Sequence, residues 1–204
     1  MRTKYKAWAK PFLDEHLEVS LTNEELSSSS SIYLEIGSGK GQFLRDMALK
    51  YPERIFIGIE RNVTCAGFTA KKLVESEIKN AHIIFDDAER VLDLFPPKSV
   101  KIIYLNFSDP WPKVRHHKRR LTSDRFCALY QKVLEDDGYI IQKTDNEELF
   151  DFSKETFLNH NFIIFDEDRN YMTSEDDVVT EYEADFRKEN LPIYRMKVKM
   201  HEGK

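Results

Sequence analysis

Between Ile32 and Tyr51 a short apolar run passes into a helix-spaced one across three alternating glycines. Ile32-Tyr33-Leu34-Glu35-Ile36 has the length and character of a buried strand. Phe43, Leu44, Met47 and Tyr51 then recur at helical spacing until Pro52 ends the pattern. A strand that turns at once into a helix is the unit from which parallel α/β sheets are assembled. The alternation continues. Strands are expected at 54–60, 82–85, 100–107 and 139–143, and helices at 63–76, from Thr122 or Ser123 to Leu134, and at 147–159. Val100 to Phe107 is apolar almost throughout, as a central strand buried on both faces should be. Two last strands fall at 162–165 and 193–200. In the second, Ile193, Arg195, Lys197 and Lys199 alternate with Tyr194, Met196, Val198 and Met200, the pattern of a half-exposed edge strand. The expected fold class is α/β, a doubly wound sheet with ligands at the C-terminal ends of its strands.

A chain of 204 residues, 41% of them hydrophobic, suits one domain with a real core. Residues 32–204 are assigned to it. Residues 1–31 read as a basic N-terminal arm followed by a linker, because 22–31 contains five serines in a row and no large apolar residue except Leu26. No apolar run approaches the roughly 20 residues of a membrane span. The basic head, Met1 to Lys10, has no apolar stretch behind it, so no secretory leader is expected. Cys65 and Cys127 form no CxxC pair and read as small core residues, without a disulfide or a metal site. A reducing, cytoplasmic setting fits.

The net charge of −5 speaks against a polyanionic partner until its distribution is read. Residues 113–120 hold five Lys/Arg in eight positions, and Arg2, Lys4, Lys6 and Lys10 add to the head. Acidic residues gather late, at Glu175-Asp176-Asp177 and between Glu181 and Glu189. The chain is an acidic body with one strongly basic loop.

Three glycine-loop chemistries compete for Glu35-Ile36-Gly37-Ser38-Gly39-Lys40-Gly41. A phosphate-cradling loop needs Gly-Lys-Ser/Thr, but Gly41 follows Lys40. A dinucleotide fingerprint needs its third glycine one residue later, where Gln42 stands. What remains, E-x-G-x-G-x-G, resembles the first motif of class I S-adenosylmethionine methyltransferases. A carboxylate there suits a ligand with an ammonium beside a sulfonium, whereas it repels a pyrophosphate. Glu60 closes the second strand, where a carboxylate can accept both ribose hydroxyls. Asp87 follows the third strand, and the resemblance gives it an adenine contact; capping a helix is its plainer role. The resemblance implies S-adenosylmethionine as cofactor, bound by Glu35, Gly37, Gly39, Gly41, Glu60, Asp87 and Asp109. It also implies a Rossmann-like methyltransferase sheet, mostly parallel, of about seven strands with an antiparallel C-terminal strand.

After the fourth strand stands Asn106-Phe107-Ser108-Asp109-Pro110-Trp111-Pro112-Lys113. Two prolines stiffen a turn that carries a carboxylate and an indole. Asp-Pro-Trp-Pro-Lys-x-Arg-His-x-Lys-Arg-Arg is similar to the signature of bacterial tRNA (guanine-N7)-methyltransferases. Lys143-Thr144-Asp145-Asn146, Thr180-Glu181-Tyr182-Glu183, Pro192-Ile193-Tyr194-Arg195 and the basic head with Trp8 match in order, so the likeness covers nearly the whole chain. It implies methylation of guanine-46 in the tRNA variable loop, with Asp109 as the active-site residue. It implies substrate contacts at Lys113, Asp145, Thr180, Glu181, Tyr182 and Glu183, and RNA contacts at Arg115, His116, His117, Lys118, Arg119 and Arg120. Plainer roles stand beside these. The loop can be a solvated charge run, Thr180-x-x-Glu183 is a capping box, and Asp145-Asn146 can cap the helix that follows. The expected partner is tRNA, with no membrane and no metal, for a monomer or a homodimer. A small-molecule N-methyltransferase explains the glycine loop and Glu60 equally, but gives the basic loop no purpose. A non-catalytic RNA-binding protein predicts erosion of Glu35, the glycines or Asp109, and none is eroded.

Overall fold

The computed structural model describes residues 3–19 and 31–201. Seven strands lie in one sheet: β1 (Ile32–Ile36), β2 (Ile55–Ile59), β3 (Ala81–Ile84), β4 (Val100–Asn106), β5 (Leu134–Thr144), β6 (Phe162–Asp168) and β7 (Tyr194–Met200). Their order is β3-β2-β1-β4-β5-β7-β6. The first five run parallel, and β7 pairs antiparallel with both β5 and β6. From β1 the chain winds outward through β2 and β3, then crosses back to β4 and β5. The winding reverses between β1 and β4, and the crevice beyond their C-terminal ends is where such sheets bind ligands.

The helices among the described residues are α1 (Ala9–Glu15), α2 (Gln42–Lys50), α3 (Val63–Glu75), α4 (Ala88–Leu94), α5 (Asp124–Val133), α6 (Glu147–Asn159) and α7 (Glu181–Lys188). None of the described helices is long and apolar enough to cross a membrane. Alternation along β4 feeds both faces of the sheet. Ile102 and Tyr104 join Phe43, Leu44, Met47, Phe56, Ala70 and Leu73 on one side. Ile103 and Leu105 join Leu34, Ile57, Val91, Phe126, Tyr130, Phe150 and Phe157 on the other.

Two expectations change. β7 is interior, and β6 is the edge strand. The alternation in β7 reports a half-polar face, which a charged neighbour satisfies as well as solvent does. Arg195 is buried, 2.6 Å from Asp166 of β6, with its guanidinium 4.3 Å from the Tyr171 ring centre. Second, α1 and α4 were not expected; both are seven-residue helices, too short for a clear period. The part of the basic arm over 3–19, whose order the sequence left open, lies docked on α3. Ala9 is fully buried against α3, where a Cβ added at Gly67 would stand 2.5 Å from its own Cβ. The Trp8 ring meets Phe68 edge-on at 5.0 Å. The expected serine-rich linker lies outside the described residues except for Ser31.

Candidate active site

The glycine loop has the left-handed backbone its sequence allows, with φ of 80°, 57° and 73° at Gly37, Gly39 and Gly41. At Gly41, which opens α2, a Cβ would also lie 2.5 Å from the Thr69 methyl of α3. The Thr69 hydroxyl instead donates to the Gly39 carbonyl at 3.1 Å. Behind the loop Glu35 is buried, and the Asn106 amide of β4 donates to its Oε1 at 3.0 Å. Burial pushes the Glu35 carboxyl up to about 7, against the Asn106 hydrogen bond and the charge of Lys143. Glu35 Oε2, Asn106 Oδ1 and Ser38 Oγ are buried without protein partners.

Glu60 ends β2 and receives two amides, from Gly39 at 2.9 Å on Oε2 and from Asn62 at 2.8 Å on Oε1. Burial raises its carboxyl above the usual range, and those amides limit the rise. Asp87 caps α4 by accepting from the Glu89 amide at 3.0 Å. Its capping role is real, and it also lines the crevice.

The turn after β4 is held in a strained form. Phe107 and Trp111 have φ of 50° and 43°, left-handed values that non-glycine residues hold only when their surroundings impose them. The Phe107 amide donates to the Lys143 carbonyl at 2.8 Å. Arg120 secures the other side. Its Nε donates to the Pro110 carbonyl at 2.8 Å, its Nη2 ion-pairs with Glu148 at 2.7 Å, and its guanidinium covers the Phe152 ring at 4.4 Å. With a side chain only 1% exposed, Arg120 is a strut beneath the turn, which corrects the expected RNA contact there. The two histidines pack inward as well, His116 edge-on to Trp111 and His117 against Phe152. Lys113, Arg115, Lys118 and Arg119 remain exposed, and of these Lys118 and Arg119 line the crevice. Asp109, 73% exposed, sits at the mouth with Oδ2 3.7 Å from Arg61 Nη2.

On the far wall, Asp145 lines the crevice and Asn146 caps α6 by accepting from the Leu149 amide at 2.8 Å. Thr180 caps α7 by accepting from the Glu183 amide at 3.0 Å, and Thr180, Glu181 and Tyr182 also line the crevice. Glu183 turns away, fully buried, with Lys143 Nζ at 3.1 Å and Arg187 Nη2 at 2.6 Å. The expected substrate contact at Glu183 is therefore corrected, since both carboxylate oxygens already serve internal cations. Lys113 also falls outside the lining. The whole encloses about 1380 Å³.

Residues 29–196 match the family described as "Putative methyltransferase". The tRNA (guanine-N(7)-)-methyltransferase of Staphylococcus epidermidis is 41% identical, over 98% of each chain. That of Limosilactobacillus reuteri is 40% identical over 96% of this chain and 98% of its own. The chain belongs to the tRNA (guanine-N(7)-)-methyltransferase family. Its fold is also that of the antibiotic-resistance methyltransferase Kmr, with a TM-score of 0.64 at 11% identity, over 91% of this chain and 96% of that one.

The crevice fits the methyl donor of a methyltransferase family. Glu35 Oε2, Asn106 Oδ1 and Ser38 Oγ are buried acceptors without protein partners on residues that line the crevice, which suits a cationic donor of N–H groups. Glu60 keeps acceptor capacity for a diol, and the carboxylates suit a cationic ligand. Sequence reasoning missed Asn106, Ser38 and Arg61. Asn106 had left a sign: it is the first polar side chain after an apolar run in β4.

A family member that binds an ammonium at Glu35 should bind it with a pH dependence. Glu35 must be ionised to bind, and its free pKa is about 7. Cofactor affinity should fall by up to about tenfold per pH unit below 7, while Glu35→Gln binds weakly with a flat profile. The folding contribution has the opposite sign. A carboxyl raised above its unfolded value is best tolerated below about 4.5 and loses stability as pH rises through 7. Calorimetry at pH 6, 7 and 8 checks this, and an unchanged affinity across that range would reject the assignment of Glu35.

Proposed function

We propose that the chain transfers a methyl group from S-adenosylmethionine to N7 of a guanine in tRNA, at guanine-46 of the variable loop, giving 7-methylguanosine. The observation that carries this reading is one juxtaposition. A buried, acidic, cation-fitting cleft opens beside an exposed carboxylate and an indole on a strained turn, rimmed by Lys118 and Arg119. When bound, S-adenosylmethionine would supply an electrophilic methyl on a sulfonium: the guanine N7 lone pair forms the new N–CH3 bond, the S–CH3 pair returns to sulfur, and S-adenosylhomocysteine leaves. Glu35, Asn106 and Ser38 would hold the ammonium end and Glu60 the ribose, and Asp87, which lines the same crevice, is assigned to the adenine.

N7 of neutral guanine carries no proton, so no general base is needed. The work left to the protein is alignment and electrostatics. Asp109 accepts from the N1–H and N2–H₂ edge and offsets the positive charge that grows on the ring. Trp111, braced by Arg119 at 5.0 Å from its ring centre, offers a plane for the base. A chain acting on tRNA works in the cytoplasm, and its two cysteines are free thiols.

The test is methyl transfer from labelled S-adenosylmethionine to unmodified bulk tRNA, followed by nucleoside analysis. Label in 7-methylguanosine is the expected result. Cofactor binding without labelled RNA would overturn this reading in favour of a small-molecule acceptor.

A further inference from the structure

The sheet order places β1 between β2 and β4. Neighbouring strands lie about 4.8 Å apart, so residues just past the ends of β2 and β4 face each other across about 10 Å. Arg61 and Asp109 occupy those two positions and meet over the glycine loop, with Nη2 3.7 Å from Oδ2. Both side chains are largely exposed, at 60% and 73%. An exposed ion pair of that length contributes little, so neither group is committed to the other. The Arg61 guanidinium also stands 5.9 Å from the centre of the Trp111 ring, which Arg119 approaches at 5.0 Å. Two guanidiniums therefore converge on one indole at the mouth of the crevice.

Several cations elsewhere on the surface are neutralised locally. Lys71, Lys98, Lys132, Lys154 and Lys188 each lie within ion-pair distance of a carboxylate. Among the described residues, Lys118 and Arg119 form no ion pair, and Arg61 has only Asp109. If Asp109 turns to the edge of a guanine, Arg61 loses its ion-pair partner as a nucleotide arrives, and keeps only the longer-range charge of Glu60, which already accepts two backbone amides. That nucleotide brings one phosphate with each base.

We propose that Arg61 binds a backbone phosphate beside the target guanine, exchanging Asp109 for that phosphate as RNA docks. This inference rests on the RNA reading given above. The donor is a poor partner for Arg61, because its sulfonium is cationic and its amino-acid end is assigned to the buried acceptors around Glu35. Arg61 is thus a substrate-positioning residue that frees Asp109 only when RNA is present.

The test compares Arg61→Gln and Arg61→Lys with the wild-type chain. It measures tRNA affinity across salt concentrations, cofactor affinity by calorimetry, and thermal melting to confirm folding. Arg61→Gln should bind tRNA about tenfold more weakly near 0.1 M salt, with the slope of log K against log[salt] reduced by about 0.7–0.9, one phosphate contact. Arg61→Lys should keep the wild-type slope, and cofactor affinity should stay within about twofold in both. A wild-type slope and affinity in Arg61→Gln overturns the inference, as does lost cofactor affinity with tRNA binding intact. If the wild-type chain neither binds nor methylates tRNA, the RNA reading itself fails, and the wild-type arm alone shows it.

Discussion

Asp109→Ala should slow methyl transfer by roughly a hundredfold to a thousandfold while the fold and tRNA affinity survive. Three features of the structure set this expectation. The side chain is 73% exposed and among the described residues ion-pairs only with Arg61, so its loss removes little packing, and exposed substitutions usually shift stability by about 0.5 kcal/mol or less. The turn it rides on is fixed by other groups, namely Arg120 beneath Pro110 and the Phe107 amide on Lys143. The reaction creates a cationic ring, and Asp109 is the carboxylate that reaches the mouth from the rigid turn. Asp109→Asn separates two roles. An amide oxygen still accepts one N–H but offers no charge, so a rate near that of Ala points to charge stabilisation. A rate near wild type points to orientation. Single-turnover rates at saturating cofactor and tRNA are the measurement, because saturation removes any weakening of cofactor binding. A near-normal rate for Asp109→Ala would end its catalytic assignment.

Much of the fold was legible because its elements are locally self-consistent. β1 and α6 fall where the apolar patterns place them, at Ile32–Ile36 and Glu147–Asn159. Asn62 and Asn146 cap their helices, each through the acceptor chemistry that favours Asn at a helix start. The place of β7 was not legible, since a strand's neighbours are set by non-local pairing. Only the sheet shows that Arg195 faces Asp166 instead of water.

The site divides the same way. Glu35 and Glu60 were expected at the ligand edge because a strand end there gives a carboxylate few other reasons to be present, and both line the crevice. Arg120 could not be read, because a cation among cations is the same in sequence whether its guanidinium meets phosphate or a carbonyl of its own loop. Lys143 and Glu183 could not be paired either, since 40 residues separate them. Each lay inside a motif that suggested substrate contact, yet the contact that fixes both is with the other.

That pair yields the largest expected loss of stability. Lys143 is 1% exposed, with its Nζ 2.9 Å from Asp177 and 3.1 Å from the fully buried Glu183. Asp177 also accepts from the Tyr171 hydroxyl at 3.0 Å, so one lysine ties the segment from Tyr171 to Glu183 onto the end of β5. Removing one member of a buried ion pair typically costs about 3–5 kcal/mol, since the other charge is left without its partner. Lys143→Met should lose that order of stability near pH 8. In the wild-type chain burial pulls the Glu183 carboxyl up, but the charge of Lys143 and the hydrogen bonds from Arg187, Thr173 and Lys143 hold it below the usual range. Its contribution is therefore present above the unfolded value of 4.5 and lost as pH falls through the lower folded value. Without Lys143 the balance reverses, and burial raises the carboxyl. The variant should then regain more stability than the wild-type chain as pH drops from 8 toward 5, beyond the gain that the raised Glu35 carboxyl gives both. Adding Glu183→Gln to Lys143→Met should recover part of the loss at pH 8, because the stranded charge is gone. Urea denaturation at pH 5.5 and 8 separates these outcomes. A loss below about 1 kcal/mol at pH 8 would mean that Arg187 and Thr173 suffice for Glu183, and that Lys143 does not anchor α7 against the crevice.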